Sequence, residues 1–355
     1  MKKLNTTLLT AGLVFLAWLV WRTNPAQLWR ELRSLGWGLL PFFLGEGIAE
    51  MIHTLGWRRC LSGPYRSIPW LVLFRMRMAG YGINYVTPTA NLGGEVSRAA
   101  LLASDRRGPE AVSGVLIEKV CFGLAQIAFV VIACLAFVRH IHLPAPILIP
   151  MAVGGALVGA GLIAFLLLQR YGMLGGLVRW LAKRASRNKA LETATLHVTR
   201  VDETLRTFYR EHPRDLWLAA AWHMLGFSVG IFQAWLFLRL LTQNASLPSA
   251  ILIFSLGMWF DLLTFAIPLN AGALEGGRTL AAKAVGYSTV IGLTYGVAVR
   301  ASQLFWAALG LLAYASLMAG KARPPLPDSV MPDARRSARQ TLTLSFDAQG
   351  KNDVP

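Results

Sequence analysis

The sequence predicts an all-α, polytopic integral membrane protein of inverted repeats, with about six full spans and two re-entrant helical hairpins. Three observations lead there. Hydrophobic residues make up 55% of the 355 residues and charged residues 15%, with a mean hydropathy of +0.48, where soluble domains carry roughly 25% charged residues. Several apolar stretches approach the ~20 residues a helix needs to cross a bilayer. Two other segments are apolar yet broken by proline, glycine and charge, and they share one pattern. A soluble globular enzyme, a disordered chain and a collagen-like protein are excluded.

Residues 8–21 follow a basic start but lead to no small-residue cleavage site. With Trp18, Trp21 and Arg22 as interfacial anchors they read as an uncleaved first span. A second span covers 36–56 and ends at Arg58 and Arg59. Segment 69–103 holds Arg75, Arg77, Glu95 and Arg98 among helix-breaking Gly80, Gly82, Pro88, Gly93 and Gly94. Irregular backbone at membrane depth survives only where protein or a watery cavity surrounds it, so this is a re-entrant hairpin. Spans at 111–138 and 145–168 follow. Residues 169–214 carry ten basic residues against four acids, and Ala194, Val198, Val201, Leu205 and Phe208 keep helical spacing. That predicts a surface-lying amphipathic linker, cytoplasmic by the positive-inside rule. A span at 216–241, a second broken segment at 248–285 with Asp261, Glu275, Arg278 and Lys283, and a span at 286–318 complete the membrane domain of residues 1–318. The proline-rich, charged residues 320–355 read as a disordered tail.

The two broken segments match. Pro88, Glu95 and Arg98 fall at the spacing P-x6-E-x2-R, and Pro268, Glu275 and Arg278 repeat it in the second half of the chain. The offset that carries Pro88 onto Pro268 also lays 36–56 on 216–235 and 111–138 on 291–318, giving repeats of about 30–140 and 210–318. Basic loops orient the copies oppositely, with both termini cytoplasmic; Arg22, Arg30 and Arg33 run against that bias. Inverted repeats with broken helices meeting near the midplane characterise many secondary transporters. A half-helix N-terminus offers free N–H groups to anions. Glu95 and Glu275 lie in or near that first turn, with Arg98 and Arg278 one turn on. Charges buried in a bilayer are functional candidates by default, though each Glu–Arg pair can equally be a structural clasp, the Glu capping N–H groups and the Arg neutralising it.

At these residues the chain resembles the lysylphosphatidylglycerol synthase/flippase membrane-domain family, which includes hopanoid-biosynthesis-associated membrane proteins. The resemblance rests on Asn84-Tyr-Val-Thr-Pro88, then Gly93, Gly94, Glu95 and Arg98, and on Glu275 in the later glycine-rich stretch, and covers roughly residues 5–318. It implies a multi-pass protein of the bacterial inner membrane that moves a lipid or lipid-linked headgroup between leaflets. No aminoacyl-transferase domain follows, so synthesis of aminoacylated lipid is not expected.

Other residues are weighed against bland roles. Glu46, Glu50 and His53 share one helix face, either as a proton-relay edge or as interior groups paired with Arg75 or Arg77. Glu118, Asp261 and Arg300 extend a polar cavity, with Asp261 and Arg300 matched as opposite charges. His197, His212 and His223 show no ligand spacing and read as surface or interfacial. Trp21, Trp57, Trp217 and Trp306 read as belt residues. Cys60, Cys121 and Cys134 show no metal or redox spacing, so no metal or other cofactor is expected. The net charge of +17 suits anionic headgroups rather than nucleic acid, for which no motif exists. There is no H-E-x-x-H, G-x-S-x-G or P-loop, so no enzyme and no ATP-driven step is expected.

The expectation is a passive or ion-coupled transporter of an anionic or isoprenoid-type membrane lipid. Its substrate site would be Glu95, Arg98, Glu275, Arg278, Asn84, Pro88 and Gly94. Glu46, Glu50, His53, Arg75, Glu118, Asp261 and Arg300 would form the polar cavity. The alternative is a membrane scaffold or regulator of lipid-biosynthetic enzymes, acting through the basic helix at 179–210. Oligomeric state is left open.

Overall fold

The computed structural model describes residues 18, 21, 25–87, 92–103, 109–137, 145–171, 203, 206–242, 245–264, 267 and 270–319. The expected first span apart from residues 18 and 21, Pro88, most of the 169–214 linker and the 320–355 tail lie outside them. Every long element among the described residues is helical: α1 (Pro25–Leu35), α2 (Leu39–Arg59), α3 (Trp70–Val86), α4 (Gly93–Leu102), α5 (Pro109–Ala136), α6 (Ala145–Arg170), α7 (Pro213–Leu241), α8 (Leu247–Leu263), α9 (Ala273–Ala284) and α10 (Thr289–Met318). Among the described residues, four helical stretches are long and apolar enough to cross a membrane: 29–59, 111–136, 213–241 and 289–318. This is a polytopic helical membrane protein.

Local chemistry sets the boundaries. Pro41, Pro109, Pro213 and Pro248 lie in first turns, where a proline costs no intrahelical hydrogen bond. Ser246 and Ser288 cap α8 and α10, accepting from the Ser249 and Ile291 amides. The break before α9 needs left-handed backbone, supplied by Asn270 at φ 48° and Gly272 at φ 70°. At ~1.5 Å per residue, the 17 residues of α3 rise about 25 Å and the 10 of α4 about 15 Å, both short of a ~30 Å hydrocarbon core.

The duplication is visible in the helices. The step from Gly93 to Ala273, the starting points of α4 and α9, equals the step from Pro109 to Thr289, the starting points of α5 and α10. Contacts give the directions. Along α2 and α7, Gly38 meets Leu240, Gly45 meets Gln233, His53 meets His223 and Arg59 meets Asp215, so the two run antiparallel. Gly82 against Gly310 and Arg75 against Ser316 make α3 and α10 antiparallel too. Since α2 opens copy one (α2–α5) and α7 opens copy two (α7–α10), the two copies start in opposite directions.

A single offset does not hold throughout. Gly56 receives the His223 ring and Gly226 receives the His53 ring, a reciprocal contact that relates α2 to α7 across 170 residues, a shorter step than the one between the later helices. Gly80 and Gly257 each bed the arginine of the following short helix, Arg98 and Arg278, which relates α3 to α8 at an intermediate step. Loops of unequal length absorb the difference. Apolar packing follows the same division: Trp57, Leu61, Leu73, Leu101 and Val115 form a core under α3–α4, while Phe42, Phe237, Ile253 and Tyr295 form one where the copies meet.

Candidate functional site

The first broken segment is held by a chain of ion pairs. Glu50 accepts from Arg77 at 2.5 Å, Arg77 reaches Glu118 at 2.7 Å, and Glu118 accepts from Arg98 at 2.9 Å. Arg98 also lies 3.6 Å from Glu95, which is paired with Lys119 at 2.7 Å. Glu118 is 2% exposed, held between two guanidinium groups. The Arg98 guanidinium also lies 4.9 Å from the Trp57 ring centroid, a cation–π contact. At the N-terminus of α4, Gly94 N–H donates to Asn84 Oδ1 at 2.6 Å, and Asn84 Nδ2 donates to Glu95 at 3.2 Å. The cap is therefore Asn84, and Glu95 takes the ion pair.

The second broken segment is wired differently. Glu275, only 1% exposed, accepts from Arg300 Nε at 2.7 Å and Nη2 at 3.1 Å. Arg300 also donates to the Tyr85 hydroxyl at 3.0 Å and to the Asn270 carbonyl at 2.9 Å. Asp261 accepts from Arg278 at 2.6 Å and from Asn270 Nδ2 at 3.0 Å. The expected Asp261–Arg300 pair is thus replaced by a crossed set, because Arg300 faces the first turn of α9 while Arg278 lies over Gly257, one turn before Asp261. A Glu275–Arg278 clasp is not among the ion pairs of the described residues.

The two copies differ at one decisive position. The step that carries Pro109 onto Thr289 carries Glu118 onto Ala298, so Arg278 has no counterpart of the Glu118 acceptor used by Arg98 and bonds Asp261 instead. Arg278 is 4% exposed, and its Nε and Nη1 have no hydrogen-bond partner among the described residues. Arg278 lines a cavity of about 210 Å³ between the copies. Glu46, Glu50, His53, Gln126, Gln233, Asp261, Ser302 and Gln303 line it with Arg278, against an apolar wall of Phe42, Phe122, Phe227 and Phe254. Tyr81 donates to Glu46 at 3.3 Å, and Gln233 Nε2 donates to the Phe42 carbonyl.

Of the residues singled out from sequence, Glu46, Glu50, His53, Asp261 and Arg278 meet in this cavity. Glu95, Arg98, Asn84, Gly94, Glu118, Glu275 and Arg300 stand outside its lining, in the networks that hold the broken helices. Arg75 leaves the Glu46–Glu50–His53 face and donates to Ser316 instead, Arg77 alone taking Glu50. Three residues change place from their sequence reading. His223 is fully buried with its Nδ1 3.1 Å from that of His53, Trp57 is fully buried, and Trp306 fills the space over Gly47 while donating to the Phe43 carbonyl. The sequence signal for His223 was its spacing to Gly226, which repeats that of His53 to Gly56.

A family model described as the lysylphosphatidylglycerol synthase TM region matches residues 6–310. No curated protein and no solved structure matches the chain.

Proposed function

We propose that this chain, which belongs to the lysylphosphatidylglycerol synthase TM-region family, moves a phosphate-bearing lipid headgroup between the leaflets of a bacterial inner membrane. Membership puts it in lipid metabolism or transport at the membrane, and translocation goes one step beyond that. The observation that carries it is Arg278, which lines the inter-copy cavity, is anchored to Asp261 by one nitrogen and has its buried Nε and Nη1 without a partner among the described residues. An unmet buried donor costs about 1–3 kcal/mol, which a phosphate oxygen recovers, since the guanidinium fork matches phosphate geometry.

The architecture supports movement as well as binding. In this reading α3–α4 and α8–α9 are re-entrant hairpins opening to opposite sides, and the cavity lies where inverted copies meet. Exchange of conformation between two such copies exposes one central site alternately to each leaflet. Polar Gln126, Gln233 and Gln303 suit a headgroup, while acyl chains remain in the bilayer.

The test is reconstitution into phosphatidylcholine vesicles with fluorescently tagged phosphatidylglycerol, scored by its protection from an impermeant quencher. Wild-type protein moves the tagged lipid and Arg278→Ala does not. A wild-type rate equal to that of protein-free vesicles rejects the reading.

A further inference from the structure

We propose that Glu46 is the binding site for a proton that travels with the anionic headgroup, an inference that rests on the lipid-translocation reading above. It comes from charge matching in the buried network. Five acids have basic partners: Glu50 with Arg77, Glu118 with Arg77 and Arg98, Glu95 with Lys119, Asp261 with Arg278, and Glu275 with Arg300. Five acids and five bases, so paired, are neutral. Glu46 is the sixth acid, it lines the cavity, and its only hydrogen bond among the described residues comes from the neutral Tyr81 hydroxyl. Of the three acids that line the cavity, Glu46 alone has no basic partner among the described residues.

A lone carboxylate in a membrane interior is costly unless neutralised. A lipid phosphate binding at Arg278 brings a second negative charge to the same small cavity and raises that cost. A proton on the Glu46 carboxylate removes one charge at the moment the phosphate adds another. The loaded site then holds the charge of the unloaded one, and headgroup and proton cross together without net charge movement. The proton forms an O–H bond on Glu46 when taken from water on one side and leaves as that bond breaks to water on the other.

The surrounding groups favour a proton over a metal cation. Glu50, bound to Arg77, and His53 face Glu46 from its own helix, Tyr81 from α3, Asp261 from α8, Arg278 from α9 and Tyr295 from α10. Of these, Glu50 and Asp261 are committed to arginines, and no cluster of three metal-ligating side chains occurs among the described residues. A sodium ion needs several oxygen ligands; a proton needs one.

The experiment uses phosphatidylcholine vesicles holding a trapped pH dye, with phosphatidylglycerol introduced into the outer leaflet by cyclodextrin exchange. As the lipid reaches the inner leaflet, the wild-type lumen acidifies, about one proton per lipid. Glu46→Gln abolishes the acidification and flattens the pH dependence of lipid movement whatever its absolute rate. Glu46→Asp, which keeps a titratable group, retains both. Wild-type lipid movement without acidification overturns the proton site while leaving translocation standing, as does acidification undiminished in Glu46→Gln or a requirement for a sodium gradient. A wild type that moves no lipid takes both proposals down.

Discussion

The Nδ1 atoms of His53 and His223 lie 3.1 Å apart, although 170 residues separate them in the chain. Only one proton fits between them, so one ring donates and the other accepts. Each ring lies over the glycine one turn along the opposite helix, Gly226 for His53 and Gly56 for His223. The contact sits where the first helices of the two copies cross.

That contact predicts a stability effect. His223→Ala leaves a void and an unpartnered His53 nitrogen, and Gly226→Ala drives a methyl into the His53 ring. Each lowers stability by about 1–3 kcal/mol, read as a lower melting temperature in detergent. If both variants melt with wild type, the two-fold contact is incidental.

Arg278 predicts a graded loss. Arg278→Lys keeps the charge beside Asp261 but gives up the planar fork, so lipid movement falls yet survives; Arg278→Ala abolishes it. Loss of one charged hydrogen bond worth about 1.5–3 kcal/mol corresponds to roughly ten- to a hundredfold in headgroup affinity, measured by competition with soluble glycerophosphate headgroups. Equal affinities for lysine and arginine would remove the fork from the account.

Glu118 predicts the opposite profile. Glu118→Ala strips Arg77 and Arg98 of a shared buried acceptor, and breaking such a network costs about 3–5 kcal/mol. The yield of folded protein drops sharply. Ala298, its counterpart in copy two, packs in the buried apolar cluster of Phe42, Phe237 and Ala282, so Ala298→Glu buries a carboxylate there and lowers the yield as well. A wild-type yield of folded Glu118→Ala would remove the ion-pair network from the account.

Inversion predicts sidedness. The chain leaves α2 and α7 at opposite faces because those helices are antiparallel. With Cys60, Cys121 and Cys134 replaced, Ser67→Cys and Ser246→Cys react with an impermeant thiol reagent from opposite sides of the membrane. Labelling of both from one side would refute the inverted arrangement.

Much of the architecture was legible in the chain. Apolar length marked the spans, proline and glycine marked the two breaks, and P-x6-E-x2-R marked the duplication, because membrane burial and helix disruption are local properties of residue type. The site was legible only in part. Glu46, Glu50, His53, Asp261 and Arg278 were drawn from sequence, but Glu95, Arg98 and Glu275 looked equal to Arg278 and are not. Their motif is symmetric, while their partners come from other helices.

Residue order alone therefore specifies an all-helical membrane protein with two related halves. Which charges meet is a matter of helix packing: Arg300 with Glu275, Arg278 with Asp261, and Glu118 between two arginines. The difference lies in range. A broken helix is encoded by residues a few positions apart, whereas an ion pair depends on the register of helices far apart in the chain. That register drifts along the duplication, the step from α2 to α7 being shorter than that from α3 to α8, and both shorter than that from α5 to α10. At the cavity, among the described residues, Arg278 keeps two nitrogens without a partner and Glu46 has only the Tyr81 hydroxyl.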